Sequence, residues 1–511
     1  MTDWAISRGH HRLYDEISAR AEANPEAALF HLPDGERLNY GDALSRVGQY
    51  AAVLVDQGVS KGDRVAVQVE KSVEAVLVYL ACLRTGAIFL PMNTGYTPSE
   101  TRYLLEDAEP TLFVCDPDIA KKLTDETQSV LTLSADGKGS LTDAVDTAGA
   151  APPVAKCSGD EVGAILYTSG TTGRPKGAML SYDNLASNAE VLAAAWGFSP
   201  RDKLIHVLPI FHAHGLFVAI NTVLFSGASL IWLPQFKPER VIPLLSQGTV
   251  IMGVPTIYGR LLQTDGFADA IRQGALRLVI SGSAPLSARD WERFRDATGH
   301  EILERYGMTE ILMHTSNPLI GKRVPGSVGP TLPGCEIRVI ADDGETLGPN
   351  EIGGLQVRGP NVFKGYWRNP EKTAEEFTGD GWFQTGDVGL IDTEGYVHIM
   401  GRSKDLVITG GYNVYPKEVE AELGILNGVS ESAVFGVSHP DFGEGVCAAI
   451  VTGAGSDLTQ DGILSLLRPK LAPYKLPKAV FFVDDLPRNA MGKVQKNVLR
   501  ETYAQVFQSD R

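Results

Sequence analysis

The chain has 511 residues, 43% of them hydrophobic and 21% charged, with 54 glycines and 29 prolines. At roughly 100 to 200 residues per domain this is too long for one ordinary core, and the composition excludes disorder, collagen and coiled coil as the main architecture. Acidic residues outnumber basic ones by 62 to 46, a formal charge of −16, which argues against nucleic acid or a membrane surface as a partner but leaves room for a local basic pocket that takes a small anion.

The opening MTDWAISRGHHRLYDE carries acids early and lacks the apolar run of a secretory signal. The five cysteines (Cys82, Cys115, Cys157, Cys335 and Cys447) are widely spaced with no CxxC pair, so no disulfide framework or zinc site is expected, and a reducing, cytoplasmic setting is. DRVAVQV, EAVLVYLACLRTG and AIFLPMN read as strand, helix and strand: Val76, Tyr79, Leu80 and Leu83 recur at helical spacing and Gly86 stops the helix. Repetition of such units over the first 400 residues predicts an α/β fold with mostly parallel, buried sheets. Residues 124–160, rich in Ser, Asp, Gly and Ala, read as a surface excursion.

The apolar strand Val162–Leu166 leads into Tyr167-Thr-Ser-Gly-Thr-Thr-Gly-Arg-Pro-Lys-Gly177. Hydroxyls and glycines in this order give a loop whose amides and side chains (Thr168, Ser169, Gly170, Thr171, Thr172, Gly173) surround phosphate oxygens, with Lys176 as a point charge. No Walker A loop and no GxGxxG occurs. Leu204 to Phe236 contains no Asp, Glu, Lys or Arg, but Pro209 and three histidines interrupt it, so it reads as a buried helix followed by a strand rather than a membrane span. A boundary is expected near residue 403: a strand from Gly395 to Met400 gives way to Arg402-Ser403-Lys404-Asp405, then a strand, a glycine pair and a helix with Pro416 in its first turn. Residues 1–403 and 404–511 are the expected domains, the second a small, mobile α+β unit.

Six segments occur in order: YTSGTTGRPKG at 167, SGSAPL at 281, ERYGMTE at 304, TGD at 385, GRSKDLVITGGYNVYP at 401 and PRNAMGK at 487. On these the chain resembles the ANL superfamily of adenylate-forming enzymes, and within it the acyl-CoA synthetases. The resemblance implies two half-reactions. A carboxylate attacks the α-phosphate of ATP to give acyl-AMP and pyrophosphate, and the thiol of coenzyme A then displaces AMP. It also implies roles. Lys493 bridges carboxylate and phosphate, Glu310 holds magnesium with Thr309 beside the phosphates, and Asp387 grips the ribose with help from Arg402. Gly282, Ser283, Ala284, Glu304, Arg305, Tyr306, Gly307 and Met308 surround the nucleotide, with Tyr306 on the purine. His212 stands at the pocket entrance with His214 next to it, Lys404 is the hinge, and Gly410, Gly411 and Tyr412 line the path for coenzyme A.

The strings PIFHAHGLFVA, MGVPTIYGRLL and FVDDLPRNAMGKVQKNVLRE look most like malonate-activating members of that group. Malonate keeps a second carboxylate, which needs a fixed cation or several donors in the pocket. Arg260 is the expected partner, since a planar fork takes a carboxylate bidentately, and Ser283 adds a hydroxyl. Met313 and Ala213 are expected on the α-carbon side. Ala213 stands where the resemblance implies Thr, and the smaller side chain leaves room for an α-methyl, hence for methylmalonate. Another short acid, or the loading of a separate carrier protein, is the alternative. PRNAMGK also fits a PxxxxGK pattern for reversible acetylation of Lys493 by a lysine acetyltransferase.

Overall fold

The computed structural model describes residues 12–123, 129–168, 175–453, 455–489 and 492–508. The strands Arg64–Gln68 and Ile88–Pro91 pair in parallel, joined by the helix Val73–Thr85. Ser72 caps that helix by accepting from the amide of Ala75, and Gly86 ends it at φ 76°, where a Cβ is unfavourable. With Ser129–Thr132, Leu112–Cys115, Val162–Thr168 and Lys176–Ser181 these strands form a six-stranded sheet, parallel except for the last hairpin. The segment read as a surface excursion therefore holds an edge strand and the helix Ser140–Asp146. Val130 is 37% exposed, and such an edge strand lacks the continuous apolar run that marks a central one.

A second sheet has eight strands. Its six central members (Ile302–Met308, Leu278–Ser281, Val250–Gly253, Lys203–His206, Ser229–Trp232 and Ala28–His31) run parallel. Leu312–Ser316 and Arg37–Asn39 close its ends antiparallel. Leu278–Ser281 and Val250–Gly253 are buried at every position, the burial expected of strands covered on both faces. The segment from Leu204 opens with the end of a strand, passes through a π-helical stretch His214–Ile220 into the helix Asn221–Ser226, and ends in the strand Ser229–Trp232. Among the described residues no helix is long and apolar enough to cross a membrane.

Four antiparallel strands (Glu336–Ile340, Gly353–Arg358, Phe383–Ile391 and Val397–Arg402) form a third sheet. The last runs two residues beyond the expected end at Met400, because Arg402 pairs across the ladder with Asp387. The 3₁₀ turn Ser403–Asp405 follows, and Val407–Thr409 starts a separate five-stranded sheet with its own apolar cores. The result is a large N-terminal domain of parallel-rich sheets and a smaller α+β C-terminal domain.

Candidate active site

The site lies where the strand Ile302–Met308 meets the third sheet. Tyr306 donates its hydroxyl to Asp387 Oδ2 at 2.5 Å, and Arg402 Nε stands 2.7 Å from Oδ1. Arg402 also donates to the carbonyl of Thr385 at 3.0 Å, and the Thr385 hydroxyl accepts from the amide of Asp387 at 3.0 Å. Gly386, at φ 68°, makes the bend that aims this carboxylate. Among the described residues each oxygen of Asp387 has one partner and keeps a lone pair, so the carboxylate can accept two vicinal hydroxyls without losing its supports.

At the phosphate end, Thr168 and Lys176 face each other across the hairpin that carries the Thr/Gly loop; Ser169, Gly170, Thr171, Thr172 and Gly173 lie outside the described residues. Lys176 Nζ sits 5.4 Å from the centre of the Tyr366 ring, and Tyr366 donates to Glu310 Oε1 at 3.1 Å. Glu310 is buried in the turn after Met308, beside half-buried Thr309, and burial raises its pKa above the ordinary carboxylate value. A buried carboxylate held by one neutral phenol suits a hard cation that keeps waters and phosphate oxygens as its other ligands. Among the described residues no cluster of three or more His, Cys, Asp or Glu side chains forms an all-protein metal site.

The third corner is built around Arg305. It is 3% exposed, and its Nε and Nη2 have no acceptor among the described residues. Burial pulls its pKa down to about 10. A Cβ on Gly282 would stand 2.2 Å from Arg305 Nη1, so the guanidinium lies flat against that glycine. Ser283, held at φ 68°, places its hydroxyl 3.1 Å from His214 Nδ1. His214 is buried, its Nε2 has no partner among the described residues, and its amide donates to His212 Nδ1 at 3.4 Å. Burial first and Arg305 second lower both imidazoles, His212 to about 4, so both are neutral near pH 7. Ala213 and Met313 are buried, and a Cβ on Gly307 would meet the Met313 methyl at 2.4 Å. This corner thus presents unpaired N–H donors, neutral imidazoles and apolar walls, a setting for a small anion.

Arg260 is exposed at the end of the helix Pro255–Leu262, over the ring of Phe236 at 5.0 Å, whereas the buried guanidinium of this corner is that of Arg305. Periodicity alone does not distinguish the two, but Glu304 and Arg305 are adjacent charges inside an otherwise buried strand, a signal that marks 305 for a role other than solvation. Glu304, buried beneath the loop at 284–286, accepts from the amide of Leu286 at 3.3 Å, and burial pushes its pKa up to about 7.

The amide of Lys493 donates to Asn489 Oδ1 at 3.0 Å. Its side chain is exposed; loss of water and then Arg402 lower the pKa of its ammonium, with Asp387 and Asp405 opposing. Gly492 approaches Thr256 of the helix that ends in Arg260. Lys404 occupies the 3₁₀ turn between the two domains' sheets. Gly410 and Gly411, both at positive φ, form a two-residue hairpin whose Tyr412 is exposed and stacks on Tyr474 at 4.6 Å. The described contacts do not bring that hairpin to Asp387 or Arg305 in this arrangement.

Fold and site together define an enzyme that activates a carboxylic acid with a nucleotide, and the chain belongs to the AMP-binding enzyme family. The family's main model matches residues 17–367, and its C-terminal domain model matches residues 418–493. The chain is 51% identical to the ATP-bound crystal structure of MatB from Rhodopseudomonas palustris, covering 98% of this chain and 100% of that one, with a TM-score of 0.94; the apo structure of MatB matches over the same coverage with a TM-score of 0.84. It is 35% identical to the mitochondrial malonate–CoA ligase ACSF3 of Mus musculus, over 88% of this chain and 84% of that protein. It is 34% identical to a feruloyl-CoA synthase of Amycolatopsis, over 95% of this chain and 97% of that protein.

Proposed function

We propose that the protein joins malonate to coenzyme A at the expense of ATP, through a malonyl-adenylate, releasing AMP and pyrophosphate. The observation that carries the choice of acid is Arg305, a buried guanidinium with two donors that have no acceptor among the described residues, next to His214 and Ser283. A monocarboxylate leaves those donors unmet, whereas the second carboxylate of malonate satisfies them. The names of the MatB and ACSF3 relatives support the same reading. Feruloyl-CoA synthases at similar identity show that overall likeness does not choose the acid, so the pocket must. Arg260, one turn beyond Thr256, is the second cation at the rim.

In the first step Asp387, steadied by Tyr306 and Arg402, holds the ribose, and Lys176 and the Thr/Gly loop hold the phosphates. The reacting carboxylate then stands near Lys493, whose ammonium offsets the repulsion between two anions. Glu310 would hold magnesium, which when bound with ATP supplies positive charge to the phosphate oxygens. In the second step coenzyme A attacks the acyl carbon along the path formed by Gly410, Gly411 and Tyr412, and the C-terminal domain turns about Lys404 to bring that hairpin in. Buried, small Ala213 leaves room for the methyl of methylmalonate as a second substrate. A cytoplasmic setting, and acetylation of Lys493 as an off-switch by loss of its charge, belong to the same proposal; intact mass of Lys493 peptides after treatment with an acetyltransferase tests the latter.

The test of the function is AMP release dependent on ATP, magnesium and coenzyme A across acetate, propionate, butyrate, malonate, methylmalonate and succinate. A malonate optimum is expected, with methylmalonate within about two orders of magnitude. Preference for a monocarboxylate would refute the part given to Arg305.

A further inference from the structure

The contacts that hold the C-terminal domain over the nucleotide site include two cations that the chemistry does not use. Lys417, in the first turn of the helix Pro416–Gly424, donates to the carbonyl of Ile399 at 2.7 Å, in the strand that ends at Arg402. Burial lowers its pKa, and the opposing charges are Glu304 and Glu420. Glu420 is already engaged, by Lys496 at 2.6 Å and by the amide of Val434 at 2.8 Å. Glu304 is 3% exposed, its Oε2 has no hydrogen-bond partner among the described residues, and it shares a strand with Arg305 and Tyr306. At the far end of the same helix, Arg289 of the N-terminal domain donates to the carbonyl of Gly424 and, at 3.2 Å, to that of Val429. Carbonyls at a helix C-terminus carry partial negative charge and attract a cation.

One helix is therefore pinned at both ends to the domain that holds the substrates, and the unit that contains this helix also carries Lys493. Neither Lys417 nor Arg289 contacts Asp387, Glu310 or Lys493 in any described hydrogen bond or ion pair. We propose that Lys417, with Arg289 as a second anchor, is a positioning residue: it holds the segment of Lys493, whose Gly492 abuts Thr256, against the N-terminal domain while the adenylate forms, and so sets the balance between the two half-reactions. This rests on the two-step reading above. A contact made in one arrangement of the domains speeds only the step run in that arrangement. On that reading the second step follows a turn of the C-terminal domain, so it does not draw on these anchors.

The experiment compares Lys417→Met and Arg289→Gln with the unmodified protein in two assays on the same preparations. One is malonate-dependent exchange of labelled pyrophosphate into ATP; the other is thioester formation from preformed malonyl-adenylate and coenzyme A. Exchange is expected to fall about tenfold in each variant, the size of one lost charge-assisted hydrogen bond. Thioester formation is expected to stay within about twofold or to rise, which also shows that the variants are folded. Lys417→Arg, which keeps the charge, is expected to recover part of the exchange. Equal loss of both half-reactions, or exchange that does not change, overturns the inference alone. Absence of exchange in the unmodified protein with every acid tried overturns the two-step reading and the inference with it.

Discussion

Arg305→Met separates acid recognition from folding, because the two respond in opposite directions. The substitution keeps most of the side-chain volume against Gly282 and Tyr258 and removes the charge. If malonate's second carboxylate takes both donors that no described residue meets, Nε and Nη2, two charge-assisted hydrogen bonds at about 1.5 to 3 kcal/mol each are lost. That amounts to about 3 to 6 kcal/mol, or roughly 10²- to 10⁴-fold in kcat/KM for malonate. Propionate offers nothing to those donors, and its kcat/KM should change by less than about tenfold. Without substrate, the buried guanidinium carries an uncompensated desolvation cost, so the variant should melt at the same temperature as the unmodified protein or higher. The assay is coenzyme A-dependent AMP release with each acid, beside thermal melts with and without malonate; the melting shift that malonate gives the unmodified protein should vanish. Parallel loss of malonate and propionate use, or a melting temperature lower by several degrees, would refute the reasoning and make Arg305 a structural residue.

Gly282→Ala puts a methyl where Arg305 Nη1 now lies; since the end of a flexible side chain yields before backbone does, the protein should fold while KM for malonate rises at least tenfold and KM for ATP changes little. Lys493→Ala should lose malonyl-adenylate formation by about 10²-fold or more yet still pass preformed adenylate to coenzyme A, and equal loss of both steps would show that the lysine is misassigned. His314, outside the site, is buried with Nε2 donating to the carbonyl of Glu336 at 2.8 Å and Nδ1 facing the Asn361 amide at 3.2 Å, and burial lowers its pKa to about 4. The unfolded chain then binds more protons than the folded one between pH 6.5 and 4. Stability from His314 is full above pH 6.5 and is lost as pH falls through that window, by up to about 3 kcal/mol. His314→Gln should reduce the drop in melting temperature between pH 7 and 5, and an unchanged drop would contradict this account.

The alternation of strands and helices was legible because each unit carries its own local signals: the Ser72 cap, the left-handed Gly86 and the apolar runs between them. Gly410–Gly411 and Pro416 likewise mark a hairpin and a helix start wherever they occur. Three of the motifs read in the sequence meet in the structure, in the contacts of Tyr306 and Arg402 with Asp387. The acyl corner was harder. Arg260 sits on a helix whose face can be guessed, while Arg305 sits in a strand covered on both sides, where alternation gives no inside or outside. Lys417 escaped notice for another reason: its partner is a backbone carbonyl 18 residues away in the other domain, and a carbonyl leaves no mark in a sequence.

The carbonyl of Ala213 accepts from the amides of both Phe217 and Val218 at 2.9 Å, which is how the stretch after it takes on one residue more than an α-helical turn holds. Such a stretch cannot be shortened without consequence. A π-helical turn is an α-helical turn that has taken in one extra residue, so deleting one residue between Gly215 and Ile220 should restore ordinary winding without turning the flanking faces, and the change falls on the widened turn that carries His214 to Ser283. The spacing between His214 and the helix Asn221–Ser226 is thus set by one residue taken in by the winding, and not by any side chain.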